Sequence, residues 1–442
     1  MKKTIIGLAI AVPALWLGTS YLTGSIAESE TRNLVAKINQ ESLDYGTAEI
    51  SSYDRGIQSS SIRYSYSLPP SLAVMTGFKE KIEYQCEYDH GITGIDYACS
   101  FSDNPAFQAL LNERFGGENP VKITGAISAF GGLTQKISIL PIEQKMEAGG
   151  VFKLAASEVL VESDNTMSEY EINATVGVLS IVDAAGDFSA GPIKIDMDIE
   201  ATDLGLYAGH YSMVSDKLLM KDQGEEVEIR NLEVEGKTID RNETMDSVVV
   251  LNAKSVSSSQ SDDNRLEDLS LSFDFLGVNS QALKEYQAFM RTLQADLMAN
   301  VEHGGKSEMD PNQMMAMLPI VEKMLDKGLN IRIAAGADLG GNPNSLDFQL
   351  ELLDKMTVTQ MSAFMFDPES VLKKFKLRLK TKIDSSILEG NIAAKQAIER
   401  SAVFKSDGDS YSLDIQLGEN SSLNGESVTF QELQGLVLRS VL

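Results

Sequence analysis

Along much of the chain, apolar and polar residues alternate with a period of two. In SIRYSYSL, Ile62, Tyr64, Tyr66 and Leu68 fall on one side, and Arg63, Ser65 and Ser67 fall on the other. The same alternation runs through Ile193, Ile195, Met197 and Ile199, through Leu269, Leu271, Phe273 and Phe275, and through Leu346, Phe348, Leu350 and Leu352. It returns at Phe375, Leu377 and Leu379, and at Tyr411, Leu413, Ile415 and Leu417. Strands of a parallel sheet covered on both faces would read as unbroken apolar runs, so the pattern predicts long antiparallel sheet with one wet face.

Helices interrupt the sheet pattern at definite places. SETRNLVAKINQES reads as a short amphipathic helix leading into the body, and PAFQALLNERF, from Pro105 to Phe115, as another. Between Ser280 and His303, Leu283, Tyr286, Met290, Leu293, Leu297 and Val301 recur at three and four, with Ser280 placed as the N-cap. A second helix starts at Asp310 and Pro311 and runs to Gly328, with Pro319 predicted to kink it. The two form an antiparallel pair that turns at Gly304 and Gly305. Methionines crowd this pair (Met290, Met298, Met309, Met314, Met315, Met317 and Met324), read first as packing of helices on a sheet and alternatively as an adaptable apolar surface. A later helical stretch is SILEGNIAAKQAIERSA.

The N-terminus departs from both patterns. Lys2 and Lys3 precede an apolar run from Ile5 to Leu17, the layout of an export signal, so the rest of the chain is expected outside the cytoplasm. Ser25-Ile26-Ala27 offers small residues for cleavage. Thr4 to Ala27 also reads as about 24 uncharged residues, enough to span a core of ~30 Å, with the lysines held inside. Retention as a membrane helix is the reading adopted, with Tyr21 at the outer interface. The expected fold is therefore α+β: mostly long antiparallel β-sheet, a central antiparallel helical pair and an N-terminal membrane helix. The expected regions are residues 1–27, a β-rich region 28–278, and a helical pair with β-rich remainder 279–442, joined at a soft boundary near Val278.

Charge and cysteine content narrow the chemistry. The formal net charge is -26, which argues against nucleic acid and against an anionic lipid surface as partners of the body. The two cysteines, Cys86 and Cys99, lie equally far from a turn near Ile92 and Thr93, so a hairpin would set them opposite each other as a cross-strand disulfide. The histidines, His90, His210 and His303, are far apart in sequence, and no metal-spaced set, nucleophile elbow or phosphate-binding loop is present. Two acidic runs, Ser261 to Asn264 and Ser406 to Ser410, read as turns between strands rather than calcium loops. No cofactor and no catalytic residue is assigned.

Several segments, taken in order, resemble the YdgA family of gammaproteobacterial envelope proteins, whose function is unknown. The landmarks are Tyr21, Thr23, Gly24 and Glu28 after the apolar run, then Tyr53, Arg55, Gly56, Ser59 and Ser60, and finally Asn424 and Gly425. The family's His-Gly-Pro-aromatic step stands here as His90-Gly91-Ile92-Thr93, without the proline, and the cysteine pair is outside the family pattern. The resemblance implies inner-membrane association with the body in the periplasm, and self-association into a homo-oligomer. Signal cleavage would instead give a soluble periplasmic protein.

Three functions follow as expectations. The first is a non-catalytic structural or interaction protein held to the inner membrane and contacting another envelope protein. The alternative is a lipid-handling module with an apolar trough on a curved sheet. The third is an unrecognised hydrolase, which requires one histidine to meet a serine or a carboxylate. Apolar strand faces packed wholly against helices or another sheet would exclude the lipid reading, and an open apolar groove longer than ~20 Å would favour it.

Overall fold

The computed structural model describes residues 28–441 apart from residues 30, 34, 37–38, 40–46, 68–80, 102–107, 110, 113–114, 146–148, 167, 184–185, 223, 260–264, 303–310, 327, 364–370 and 389–391. The expected membrane helix, with Tyr21, Thr23 and Gly24, lies outside the described residues, as do His303, the Gly304-Gly305 turn and the acidic run at 261–264. Among the described residues no helix is long and apolar enough to cross a membrane. The chain divides into two compact units. The first comprises Met1–Leu179, Asp196–Asp198 and Gln294–Ser307, and the second Ser180–Ile195, Ile199–Leu293 and Glu308–Leu442. The soft boundary near Val278 falls inside the second unit.

In the first unit the strands are β1 (Thr47–Arg55), β2 (Ser59–Ser67), β3 (Ile82–His90), β4 (Gly94–Phe101), β5 (Val121–Ser128), β6 (Leu133–Ile139), β7 (Ile142–Lys145), β8 (Val151–Leu154), β9 (Ser157–Ser163) and β10 (Glu169–Val176). Neighbours pair antiparallel from β1 to β6, then β9 and β10, while β7 and β8 form a side hairpin. The register stacks apolar residues in rows across the sheet: Tyr53, Ile62, Cys86, Cys99 and Ile123 form one. Ile62, Tyr64, Cys86, Tyr88, Ile95 and Tyr97 are the buried cluster at its centre. Ser65, expected on the wet side, is buried as well. The described residues of the leading segment are helical, and Val35 packs on this cluster. Asn39 ties the segment down: its Nδ2 donates to Ala48 O at 2.7 Å and its Oδ1 accepts from Ala48 N at 2.8 Å, as a neighbouring strand would.

The second unit continues through β11 (Leu179–Val182, its first residue in the first unit), β12 (Gly186–Ala190) and β13 (Ile193–Ala201, its residues Asp196–Asp198 in the first unit) into a meander of long strands, β14 (Tyr207–Asp222), β15 (Glu225–Asp240), β16 (Thr244–Ser258) and β17 (Leu266–Asn279). The helices α1 (Ser280–Glu302) and α2 (Pro311–Met324) follow, then β18 (Asn330–Leu339), β19 (Asn342–Leu352), α3 (Val358–Ala363) and β20 (Phe375–Asp384). The chain closes with α4 (Ser385–Leu388), α5 (Ile392–Arg400), β21 (Lys405–Asp407), β22 (Ser410–Leu417), β23 (Ser422–Leu423), β24 (Glu426–Ser427) and α6 (Phe430–Val441). Consecutive strands from β14 to β20 pair antiparallel, and β20 then pairs with β22.

The helical pair is antiparallel, with Lys323 near the end of α2 meeting Glu285 near the start of α1 at 2.6 Å. Three details differ from expectation. Asn279, not Ser280, caps α1: its Oδ1 accepts from Ala282 N at 2.8 Å, while Ser280 is buried with its hydroxyl unpartnered among the described residues. The second helix ends at Met324 rather than Gly328, whose φ of 91° takes the chain out of helix. Met290 and Met315 are exposed, whereas Met317 and Met324 are half-buried. The run at Ser406 to Ser410 is the tight turn between β21 and β22, where Asp407 faces Ser410.

Candidate functional site

The hairpin of β3 and β4 places Cys86 directly opposite Cys99, and the two are joined as a disulfide. Around that bridge the register gathers tyrosines. Tyr88 faces Tyr97 across the hairpin with ring centroids 5.2 Å apart, and Tyr64 stacks on Tyr84 at 5.0 Å. The Tyr64 and Tyr88 hydroxyls lie 3.0 Å apart, and Tyr97 donates to Gln135 Oε1 at 2.9 Å. Burial raises the pKa of each, Tyr84 to about 12, so these rings stay neutral at any physiological pH. Gly125 makes room for Tyr97: a Cβ there would stand 2.4 Å from the ring.

The motif positions from Glu28 to Gly91 meet at one corner of this sheet. Glu28 accepts from Arg55 at 3.3 Å and from Arg32 one helical turn on at 3.2 Å, so the leading segment is tied to the end of β1. The Arg32 guanidinium sits 5.9 Å from the Tyr53 ring centroid, within cation–π range. The Tyr53 hydroxyl is buried without a hydrogen-bond partner among the described residues. Burial raises its pKa. Gly56 N donates to Ser59 O at 2.8 Å and Gly91 N to Gly94 O at 2.7 Å, closing the two hairpin turns.

His90 joins those turns. Its Nδ1 lies 3.2 Å from Ile57 O, and since a carbonyl only accepts, Nδ1 carries the proton. In that tautomer of the uncharged ring, Nε2 accepts from Ser60 Oγ at 2.7 Å. A serine beside a histidine is the opening of a hydrolase site, but both residues are buried and a carbonyl stands where a triad places its carboxylate. The pair is built as a clamp between the β1–β2 and β3–β4 turns. His210 lies exposed on β14. No group of histidine, cysteine and carboxylate side chains among the described residues is placed to hold a metal ion.

Asn424 and Gly425, the last motif positions, make the turn between β23 and β24 in the second unit, with φ of 52° and 84°. Asn424 also braces two other segments, accepting from Asp414 N at 2.9 Å and donating to Val403 O at 2.8 Å.

The second unit carries a different feature. Its register lines up Tyr211, Gly236, Val249, Phe273, Ile333, Phe348, Leu379 and Ile415 in one row across the meander. The adjacent row on the same face is Met213, Val234, Leu251, Leu271, Ala335, Leu346, Thr381 and Leu413. The opposite face holds the charges, including Arg332 paired with Asp347 at 3.0 Å and Arg378 with Asp414 at 3.2 Å. At its β20–β22 end the apolar face is covered: Leu372, Phe375, Val403, Leu413 and Leu433 are buried beneath the helices and loops of that end. From β14 to β19 these two rows hold no residue of the buried clusters among the described residues, although Ser215 and Ala253 in the next row are buried and Ile331 and Leu350 pack on the cluster at the β20–β22 end. The side chains of the two rows are half-buried apart from Leu346, which is 37% exposed. Five strand spacings of about 4.8 Å make that stretch ~24 Å long.

Sequence reasoning found the alternation but missed where it slips. The apolar positions Ile229 and Leu232, and likewise Leu266 and Leu269, are three apart rather than two. Asn231 and Asp268 stand in those gaps with φ of 49° and 48°, and at Asp268 the pairing of β17 with β18 shifts register as at a bulge. An Asn or Asp within paired polar residues was the available signal.

No curated protein and no solved structure matches the chain. The family model described as a bacterial protein of unknown function, DUF945, matches residues 1–431, nearly all of the sequence, and the chain belongs to that family.

Proposed function

We propose that this protein is a lipid-handling module of the cell envelope, held to the inner membrane by its N-terminal apolar segment, with the body in the periplasm. The observation that carries the reading is the pair of half-buried apolar rows from β14 to β19. At ~24 Å it exceeds the reach of one leaflet's acyl chains, which is about half of a ~30 Å hydrocarbon core. The two rows hold no charged residue, and the charges flanking them, such as Glu233, Glu235, Asp274, Arg332 and Asp347, lie on the other face, so an apolar chain could lie across the strands without desolvating an ion. Membrane placement rests on Lys2, Lys3 and the uncharged stretch to Ala27, and on the resemblance to the YdgA family. The Glu28–Arg55 pair supports it by fixing the first sheet within a few residues of where that stretch ends.

The test is lipid analysis of the full chain after gentle detergent extraction, with Phe273→Glu and Leu251→Glu beside Glu235→Lys on the charged face. Co-purified lipid should fall at least tenfold in the first two and stay level in the third. A stoichiometric protein partner or a second copy on this face, with no lipid, would favour the interaction reading instead. For the anchor, the mature N-terminus should be Met1 or Lys2; a start at Glu28 would mean cleavage.

A further inference from the structure

The first unit holds a cavity of about 230 Å³ that the apolar face of the second unit does not account for. Tyr64, Tyr84, Tyr88 and Tyr97 form its walls, the Cys86–Cys99 bridge lies in its lining, and Thr31 and Val35 of the leading helical segment also line it. Gln135 and Asn165 bring amide groups to the lining. We propose that this cavity binds one neutral, single-ring aromatic molecule that carries a carbonyl or hydroxyl oxygen.

The size, charge and polarity of the cavity each restrict the ligand. An apolar cavity of ~150 Å³ takes benzene, while pockets for drug-sized ligands begin at about 300 Å³, so this volume suits one ring with a small substituent. None of the described lining residues is charged, so an ion would be desolvated with no opposite charge to offset it. The tyrosines already stack in pairs, and their ring faces and edges offer a further ring the offset or edge-on contacts that aromatic groups favour.

Gln135 sets the polar requirement. Its Oε1 is taken by the Tyr97 hydroxyl, which leaves its amide N–H groups to donate, so the ligand must present an acceptor. The wall holding that bond is shaped by Gly125, since any side chain there would displace the Tyr97 ring. The rim at Asn165 is fixed too. Asp164 beside it gathers the N–H groups of Thr166, Ser168 and Glu169 at 3.2, 2.7 and 3.0 Å.

Ligand-observed NMR on the full chain in detergent micelles, with empty micelles as blank, tests the proposal. The probes are benzamide, benzoate, benzylammonium and hexanol. Benzamide should bind saturably, at least tenfold more tightly than the other three. Ile123→Trp, which fills the cavity, should abolish that binding. If that variant fails to fold, Gln135→Leu serves: it keeps the size, removes the donor and should weaken benzamide at least tenfold. Saturable binding of none of the probes, hexanol binding as well as benzamide, or a Gln135→Leu protein that binds as before would each overturn the proposal. None of these outcomes bears on lipid at the second unit.

Discussion

Replacing Asn424 tests whether the C-terminal motif is structural. Three contributions are lost in Asn424→Ala. The Asp414 N–H loses its acceptor at 2.9 Å and the Val403 carbonyl its donor at 2.8 Å, each worth about 1 kcal/mol. Alanine must also hold φ near 52°, which costs ordinary residues roughly 1 kcal/mol more than asparagine or glycine. The expected loss is therefore about 3 kcal/mol for alanine and about 2 kcal/mol for Asn424→Gly, which keeps the backbone freedom and loses only the bonds. Asn424→Asp keeps the acceptor but sets a carboxylate oxygen against the Val403 carbonyl, so it should be no better than glycine. Urea unfolding followed by circular dichroism gives the energies, and hydrogen exchange at Asp414 locates them. Equal costs for alanine and glycine would refute the backbone argument. A cost below about 0.5 kcal/mol for both would refute the bracing role altogether.

Three other outcomes are expected. Thiol labelling of unfolded, unreduced protein should modify neither cysteine, and Cys86→Ser should cost about 3 kcal/mol, the loop-closure value for a bridge of sequence separation 13; free thiols would end the claim. Gly125→Ala should cost about 1–3 kcal/mol in thermal or denaturant unfolding because its Cβ meets Tyr97, whereas Gly435→Ala, with nothing within 4 Å, should stabilise α6 slightly; matching effects would contradict the packing. The hydrogen bonds from Thr166, Ser168 and Glu169 hold the Asp164 carboxyl well below the usual carboxylate range. Because the folded pKa is depressed, this stabilisation is present above about pH 4 and is lost as pH falls toward the folded value. The stability gap between the native chain and Asp164→Asn should shrink below pH 4, and a gap independent of pH would rule the contribution out.

What could be read from the sequence followed from local geometry. A period of two assigns faces without any tertiary knowledge, which is why Leu271, Phe273, Phe348 and Leu379 fall on one side as expected. The disulfide was legible because Cys86 and Cys99 are equidistant from a turn, and a hairpin of that register can only set them opposite each other. The cap of α1 was not, since Asn279 and Ser280 are both good caps and only the backbone path chooses between them. The His90 corner was not legible either. Ser60 and His90 lie 30 residues apart, and their contact depends on the register of β2 against β3, which the intervening loop does not announce. Periodicity also assigns residues to a face but does not say what covers it.

That last gap yields a comparison within one row of the sheet. Leu251 and Leu413 occupy the same row on the same face, yet Leu413 is 6% exposed beneath the C-terminal segments and Leu251 is half-buried on the stretch from β14 to β19. If cover rather than strand position sets the energy, Leu413→Ala should cost about 2–5 kcal/mol, as in a closed core. Leu251→Ala leaves no closed cavity and removes a side chain already partly in water, so about 1 kcal/mol is expected from its area. The meander tolerates this because its strands pair with sequence neighbours, and each ladder forms locally without waiting for a layer on top. Denaturant unfolding of the two variants in parallel decides the matter. Equal costs would mean that Leu251 is as well covered as Leu413, and the apolar face would lose its claim to a lipid. The expected result, little stability lost at Leu251 together with reduced lipid on the purified variant, separates a surface kept open for an occupant from one that is simply part of the core.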